Sequence, residues 1–152
     1  MHSLRKNDGF TLLEIMVVVL IIGLLMTVLA TNVFKRLGGA QADIARLQVS
    51  KLSQQLELYK LDNGTYPTTE QGLDALVREP SSEPRPRRYP EGGYVTGKDL
   101  LDPWQMPFKY ERPGKNNTRT FDLYTLGADG TDGGDGENAE IGNWEADAPT
   151  PR

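Results

Sequence analysis

Glu14 sets a carboxylate inside an apolar run, and Asp129, Asp132 and Asp135 punctuate a glycine-rich one; at these two places residue type and spacing point to chemistry. Phe10 to Val33 is interrupted by only a few polar side chains, and Ile15 to Met26 carries none. An ionised carboxylate in a membrane interior costs at least ~2.5 kcal/mol, and such residues usually mark function. Glu14 therefore needs a partner or a processing event to account for it. At the other end, Leu126 to Asp147 holds seven carboxylates after Gly127 and no positive charge before Arg152. Calcium takes about six to eight oxygen ligands on a tightly curved backbone, which closely spaced Asp side chains and glycine-permitted carbonyls supply. The spacing of Asp129, Asp132 and Asp135 is not that of an EF-hand, and Gly133-Gly134-Asp135-Gly136 is a single copy of a β-roll-like repeat. Composition alone also suits a flexible solvated tail; against that, Ile141 and Trp144 are apolar anchors that would fold the loop back.

Catalysis finds no residues to carry it. The single histidine, His2, lies ahead of the apolar run, so Ser3, Ser50, Ser53, Ser81 and Ser82 have no histidine base in the remaining chain. The absence of cysteine excludes disulfides, thiolate nucleophiles and cysteine zinc sites. No glycine-rich phosphate loop precedes a helix. The net charge of -4 comes without a basic stripe: Arg85, Arg87 and Arg88 sit in a proline-rich loop, which reads as solvated, a neighbouring subunit being the alternative contact. Nucleic-acid binding is therefore not expected.

Positioning these residues requires three kinds of element. Arg5 and Lys6 precede the apolar run and hold the extreme N-terminus on the cytoplasmic side. Phe10 to Val33 would span about 36 Å as a helix, enough for a hydrocarbon core of ~30 Å. From the residues alone, three readings stay open: a signal peptide cut after Val28-Leu29-Ala30, a plain signal anchor, or a functional membrane helix. Beyond it, Phe34, Leu37, Ala40, Ile44, Leu47, Leu52, Leu56 and Tyr59 fall at spacings mostly of three or four, predicting an amphipathic helix with one buried stripe. Gly38-Gly39 is its weak point, and Asn63-Gly64 stops it near Leu61. Thr69 is the expected N-cap of a short second helix, with Glu70 in its first turn and Leu73, Leu76 and Val77 facing inward. Glu79 to Tyr94 reads as an irregular connection. Phe108 to Glu111 alternates like a strand, and Arg119 to Gly127 gives another, with Phe121, Leu123 and Thr125 alternating against Asp122 and Tyr124.

The text Arg5-Lys6-Asn7-Asp8-Gly9 followed by Phe10-Thr11-Leu12-Leu13-Glu14 closely resembles the signal of type IV pilins and pseudopilins. That resemblance implies cleavage between Gly9 and Phe10 by a prepilin peptidase, N-methylation of Phe10, and a role for Glu14 in assembly, meeting the N-terminus of a neighbouring copy. Tyr59 to Val77, with Tyr66-Pro67 and Thr69-Glu70-Gln71-Gly72-Leu73, is similar to the G-type major pseudopilins of type II secretion. So is Asp102-Pro103-Trp104-Gln105-Met106-Pro107-Phe108, where Gln105 stands in place of the usual glycine and a distorted turn is expected. The Leu126-Gly127-Ala128-Asp129-Gly130 loop ending in Ile141-Gly142-Asn143-Trp144 resembles that family's calcium loop; by resemblance Leu126, Asp129, Thr131, Gly134 and Asp135 are the expected ligands.

The resemblance implies an α+β, type IV pilin-like fold: a long N-terminal helix packed on a small antiparallel sheet, with an acidic C-terminal calcium loop. Residues 1–9 would be the leader, 10–33 the transmembrane and filament-core half of the helix, and 34–152 the periplasmic head, including the amphipathic half 34–61. The implied protein is no enzyme. It is a single-pass bacterial inner-membrane subunit, surrounded by lipid before assembly and then polymerised into a periplasmic pseudopilus. Minor pseudopilins, the prepilin peptidase and an inner-membrane assembly platform are its implied partners. The alternatives are a type IV pilin subunit for adhesion or motility, which a cysteine-bounded loop would favour, and a secreted calcium-binding domain.

Overall fold

The computed structural model describes residues 10–144, the side chains of 27–38 excepted. The leader 1–9 and residues 145–152 of the expected head lie outside the described residues. Helix α1 spans Leu12–Asn63, and α2 is a short helix at Asp74–Val77. Three strands follow, β1 (Lys109–Glu111), β2 (Asp122–Thr125) and β3 (Ile141–Gly142). They form one antiparallel sheet in the order β1-β2-β3, with Tyr110 opposite Leu123 and Thr125 opposite Ile141. The expected α+β architecture is what the chain adopts.

Contacts divide the chain into two compact units at the Leu37–Gly38 boundary. Helix α1 stays helical through Gly38-Gly39, although each glycine costs about 1 kcal/mol of helix propensity. In the first unit, the apolar side chains from Phe10 to Met26 all face outward. Among the described residues no helix is long and apolar enough to cross a membrane; residues 27–33 of the expected span lie outside the described side chains.

The second unit holds the core. The buried stripe on α1 is Ala42, Ala45, Val49, Leu52, Leu56 and Tyr59, a clean three-four alternation. The expected stripe was therefore right at Leu52, Leu56 and Tyr59 and rotated at Ala40, Ile44 and Leu47, where Ile44 is 49% and Leu47 72% exposed; Phe34 and Leu37 lie outside the described side chains. The small side chains of Ala42 and Ala45 form the buried line there, while the larger aliphatics lie across the helix from it. Leu76, Phe121, Leu123 and Ile141 close the core from α2 and the sheet, each contributing roughly 1.5–3 kcal/mol on burial. Tyr66 meets Phe121 edge to face at 4.9 Å, and Tyr59 tilts against Tyr94 at 5.4 Å.

The end of α1 is sharply made. Gly64 takes φ +81° and donates its N–H to the Lys60 carbonyl at 2.7 Å, the left-handed stop that glycine favours. Buried Asn63 donates to the Tyr59 carbonyl and accepts the Arg88 N–H at 2.9 Å each, tying the irregular connection to the helix.

The second helix begins later than expected. Thr68, not Thr69, makes the reciprocal cap: its hydroxyl accepts the Gln71 N–H at 3.2 Å while Gln71 Oε1 accepts the Thr68 N–H at 3.0 Å. Gly72 then turns left-handed at φ +59°, so regular helix starts only at Asp74. The Thr69 hydroxyl is engaged elsewhere, accepting the Arg112 N–H at 2.8 Å and donating to its carbonyl at 2.9 Å.

Candidate functional site

The start of α1 is capped by Thr11, whose hydroxyl accepts the Glu14 N–H at 3.2 Å. Thr11 and Glu14 have the spacing of a capping box, in which the acid reaches back to the cap's own N–H. Here only half of the box forms: among the described residues, the Glu14 carboxylate makes no hydrogen bond or ion pair. It projects from the first turn, where the helix dipole favours negative charge. Phe10, two residues ahead of the helix, is 79% exposed. Gly9 lies outside the described residues.

The acidic loop leaves β2 and returns to β3. It is drawn shut by the Ala128 N–H donating to the Glu137 carbonyl at 2.9 Å. Two glycines permit this closure. At Gly127 (φ +78°) a Cβ would lie 2.7 Å from the Asn138 backbone, and at Gly134 (φ +102°) it would lie 2.6 Å from the Asn138 carbonyl. Of the expected ligands, Leu126 is half-buried and Asp129, Thr131, Gly134 and Asp135 are exposed on the closed loop. The Asp129 carboxylate accepts the Thr131 N–H at 3.1 Å, and Glu140 reaches across to the Gly133 N–H at 3.0 Å. Among the described residues, no group of three acidic or histidine side chains converges as a metal cage. What the loop offers is a set of oxygens, two carboxylates with backbone carbonyls at left-handed glycines, and that donor chemistry fits calcium. Trp144 packs its ring over side-chain-free Gly142 and tilts against Tyr124 at 5.4 Å. Ile141 is buried, so both apolar anchors hold the loop to the head.

Two carboxylates of the head are buried, Asp102 and Asp122, and neither was foreseen as buried. Asp102 Oδ1 accepts the Trp104 and Met106 N–H groups at 2.9 and 2.8 Å, and its Oδ2 accepts the Thr125 hydroxyl. The Thr125 oxygen in turn accepts the Gly127 N–H at 3.3 Å, at the mouth of the acidic loop. Asp122, expected on the outer face of β2, turns inward to collect the Asn116 and Asn117 N–H groups at 2.7 and 2.8 Å. The signal for Asp102 was legible: an Asp two residues before an open N–H in a proline turn makes a side-chain turn. Asp122 gave none, because its partners lie in a loop without periodicity. Gln105 holds φ +67° and the turn it occupies closes normally, its N–H meeting the Asp102 carbonyl at 3.0 Å. The expected distortion does not occur; the backbone keeps the glycine-like conformation, at the cost of crowding between the Gln105 Cβ and the following carbonyl.

Residues 32–144 match the family model described as type II secretion system (T2SS), protein G, and residues 4–30 match that of the prokaryotic N-terminal methylation motif. The chain is 48% identical over 145 residues to the type II secretion system core protein G of Vibrio cholerae, covering 95% of this chain and 96% of that protein. With the protein of the same name from Pseudomonas aeruginosa it shares 44% identity over 141 residues, 93% and 97% of the two chains. A crystal structure of the major pseudopilin from the type 2 secretion system of enterohaemorrhagic Escherichia coli is similar at a TM-score of 0.59 and 36% identity, covering 70% of this chain and 88% of that one.

Proposed function

Since the chain belongs to the type II secretion system protein G family, we infer that it is the major pseudopilin of such a system, a structural subunit that polymerises into the pseudopilus and so drives export of folded proteins across the outer membrane. The observation that carries this reading is the half-made capping box at the start of α1, which leaves the Glu14 carboxylate projecting among outward apolar side chains. In lipid that carboxylate is costly. A neighbouring copy's α-amine, created by cutting between Gly9 and Phe10, would neutralise it, and the pairing is favourable only when both charges leave water together. Docking the next copy thus relieves a penalty that the lone subunit carries.

The subunit is anchored in the inner membrane by one span, with its head in the periplasm, and is processed by the prepilin peptidase. Minor pseudopilins and an inner-membrane assembly platform are its partners in filament growth. Calcium at the acidic loop, held by Asp129 and Asp135 with the carbonyls of Leu126 and Gly134 and by Thr131, would screen clustered negative charge and order the loop. The chain has no disulfide to do this. The type IV pilin alternative has no cysteine-bounded loop to recommend it.

Sequencing the amino terminus of the protein purified from membranes tests the reading. N-methyl-Phe10 is the expected first residue; a chain beginning at Thr31 would instead make it a secreted domain behind an ordinary signal peptide.

A further inference from the structure

A pocket of about 240 Å³ opens in the head beyond the end of α1, lined by Thr68, Arg112, Pro113, Arg119 and Thr120. Two of these five residues are arginines and none is acidic, in a chain whose net charge is -4. Arg112 is fixed at both ends. Its backbone N–H and carbonyl are both held by the Thr69 hydroxyl. Its Nη1 donates to the Tyr66 carbonyl at 2.7 Å, and its Cζ lies 5.7 Å from the centre of the Tyr66 ring. A guanidinium has five N–H donors in a planar fork, so most of them stay available on this half-buried side chain. The exposed Arg119 side chain makes no hydrogen bond or ion pair among the described residues. The acids of the adjoining segments already have partners. Glu111 pairs with Lys115 at 3.2 Å, Glu57 accepts the Tyr66 hydroxyl at 2.6 Å, and buried Asp122 holds the Asn116 and Asn117 amides. Glu70, exposed, is held below the usual carboxylate range by its own N–H and by the Thr68 hydroxyl. Two cations therefore face one pocket without a counter-charge lining it, an arrangement that like-charge repulsion disfavours.

We propose that this pocket binds a phosphate group, free or carried as a small monoester, between Arg112 and Arg119. The charges match: a phosphate monoester carries about -1.5 to -2 at pH 7, against two guanidinium charges, whereas a single carboxylate would leave one cation unanswered. The donors match as well. Planar guanidinium forks take phosphate oxygens in pairs, and Thr120 adds a hydroxyl to the lining. Pro113 supplies an apolar wall for the carbon side of an ester. A water occupies about 30 Å³ of liquid, so the pocket has room for an oxyanion with a short carbon group attached.

Titration calorimetry on the full-length protein in detergent, at constant ionic strength and without calcium, tests this with inorganic phosphate and then with glycerol 3-phosphate. Saturable binding of one equivalent is expected, and the tighter of the two probes tells whether the free ion or the ester is the form read. Arg119→Gln should weaken that binding at least about tenfold, the loss of one charge-assisted contact. Arg119 supports no contact of the fold among the described residues, so its replacement reports binding rather than folding. Glu70→Gln, which removes the exposed charge beside Thr68, should tighten binding by up to about fivefold. Phosphate bound by Arg119→Gln as tightly as by the parent would mean an adventitious ion only and would overturn the proposal. Acetate binding as tightly as phosphate, or no saturation with either probe, would overturn it too.

Discussion

Thr125 donates its hydroxyl hydrogen to the buried carboxylate of Asp102, 23 residues earlier in the chain. Asp102 is 1% exposed and fixes the turn before β1; Thr125 ends β2 and holds the Gly127 amide at the start of the acidic loop. One carboxylate thus couples a proline turn, a strand end and the candidate ion loop. Asp102→Ala strands two turn amides and one hydroxyl and should destabilise the head by about 3 kcal/mol. Denaturant unfolding measures it; a loss under 1 kcal/mol would show that water replaces the carboxylate.

Gln105 holds a left-handed conformation that costs an L-residue roughly 1–2 kcal/mol, and its side chain is exposed. Glycine removes that strain but loses about 0.5–1 kcal/mol of chain entropy. Gln105→Gly should therefore stabilise by about 0.5–1 kcal/mol, seen as a rise of a few degrees in melting temperature. Gln105→Val should lower it.

Glu14→Leu removes the costly charge while leaving the Thr11 cap on the residue-14 N–H in place. The variant should insert in the membrane at least as well as the parent and fail to assemble. Filament yield and exoprotein release in a secreting strain report the outcome, and normal filaments from Glu14→Leu would remove this carboxylate from the assembly mechanism.

Chelation should lower the melting temperature by several degrees, because an ion bound only by the folded state stabilises it. Asp129→Ala in calcium should match the chelated parent, since Asp129 is the expected side-chain ligand on the closed loop. A parent indifferent to chelator would remove the ion from the loop.

Acid and alkali should each uncover one contact. Lys51 bonds Asp99 at 2.6 Å, and with the Thr96 bonds it holds this carboxyl down to about 2 from its usual 3.8. A lowered carboxyl pKa gives stability that is complete above about pH 4 and lost as pH falls toward 2. Lys51→Met should flatten that limb, by under ~1 kcal/mol because the pair is largely exposed. Tyr94 behaves oppositely: burial and its bond to Asp62 push the phenol up to about 12 from 10. Its contribution is intact below pH 10 and lost as pH rises toward 12, and Tyr94→Phe should remove that dependence. Unfolding free energies across both ranges check the pair.

The sequence made some of this plain and concealed the rest for physical reasons. Periodicity located α1 and the Asn63-Gly64 stop, because helical spacing and left-handed glycine are local signals. It misplaced Ile44 and Leu47, because size suggested burial where packing selected Ala42 and Ala45. Alternation found β1 and β2 but set Asp122 outside, since a buried acid is paid for by loop amides that no period reveals. Thr11 was missed as a cap although Thr-Leu-Leu-Glu carries the box signature. The acidic loop was legible as an oxygen-rich turn; its closure by Ala128 and Glu137 depends on backbone geometry and was not.

The unfinished box at Thr11 and Glu14 has a directional corollary for the proposed polymer. If every interior copy has its acid answered by the amine of the copy that follows, one terminus of the fibre always presents an unanswered one. Growth and shrinkage then differ at the two tips, and the machine that inserts new copies can recognise which tip is which by a single uncompensated charge.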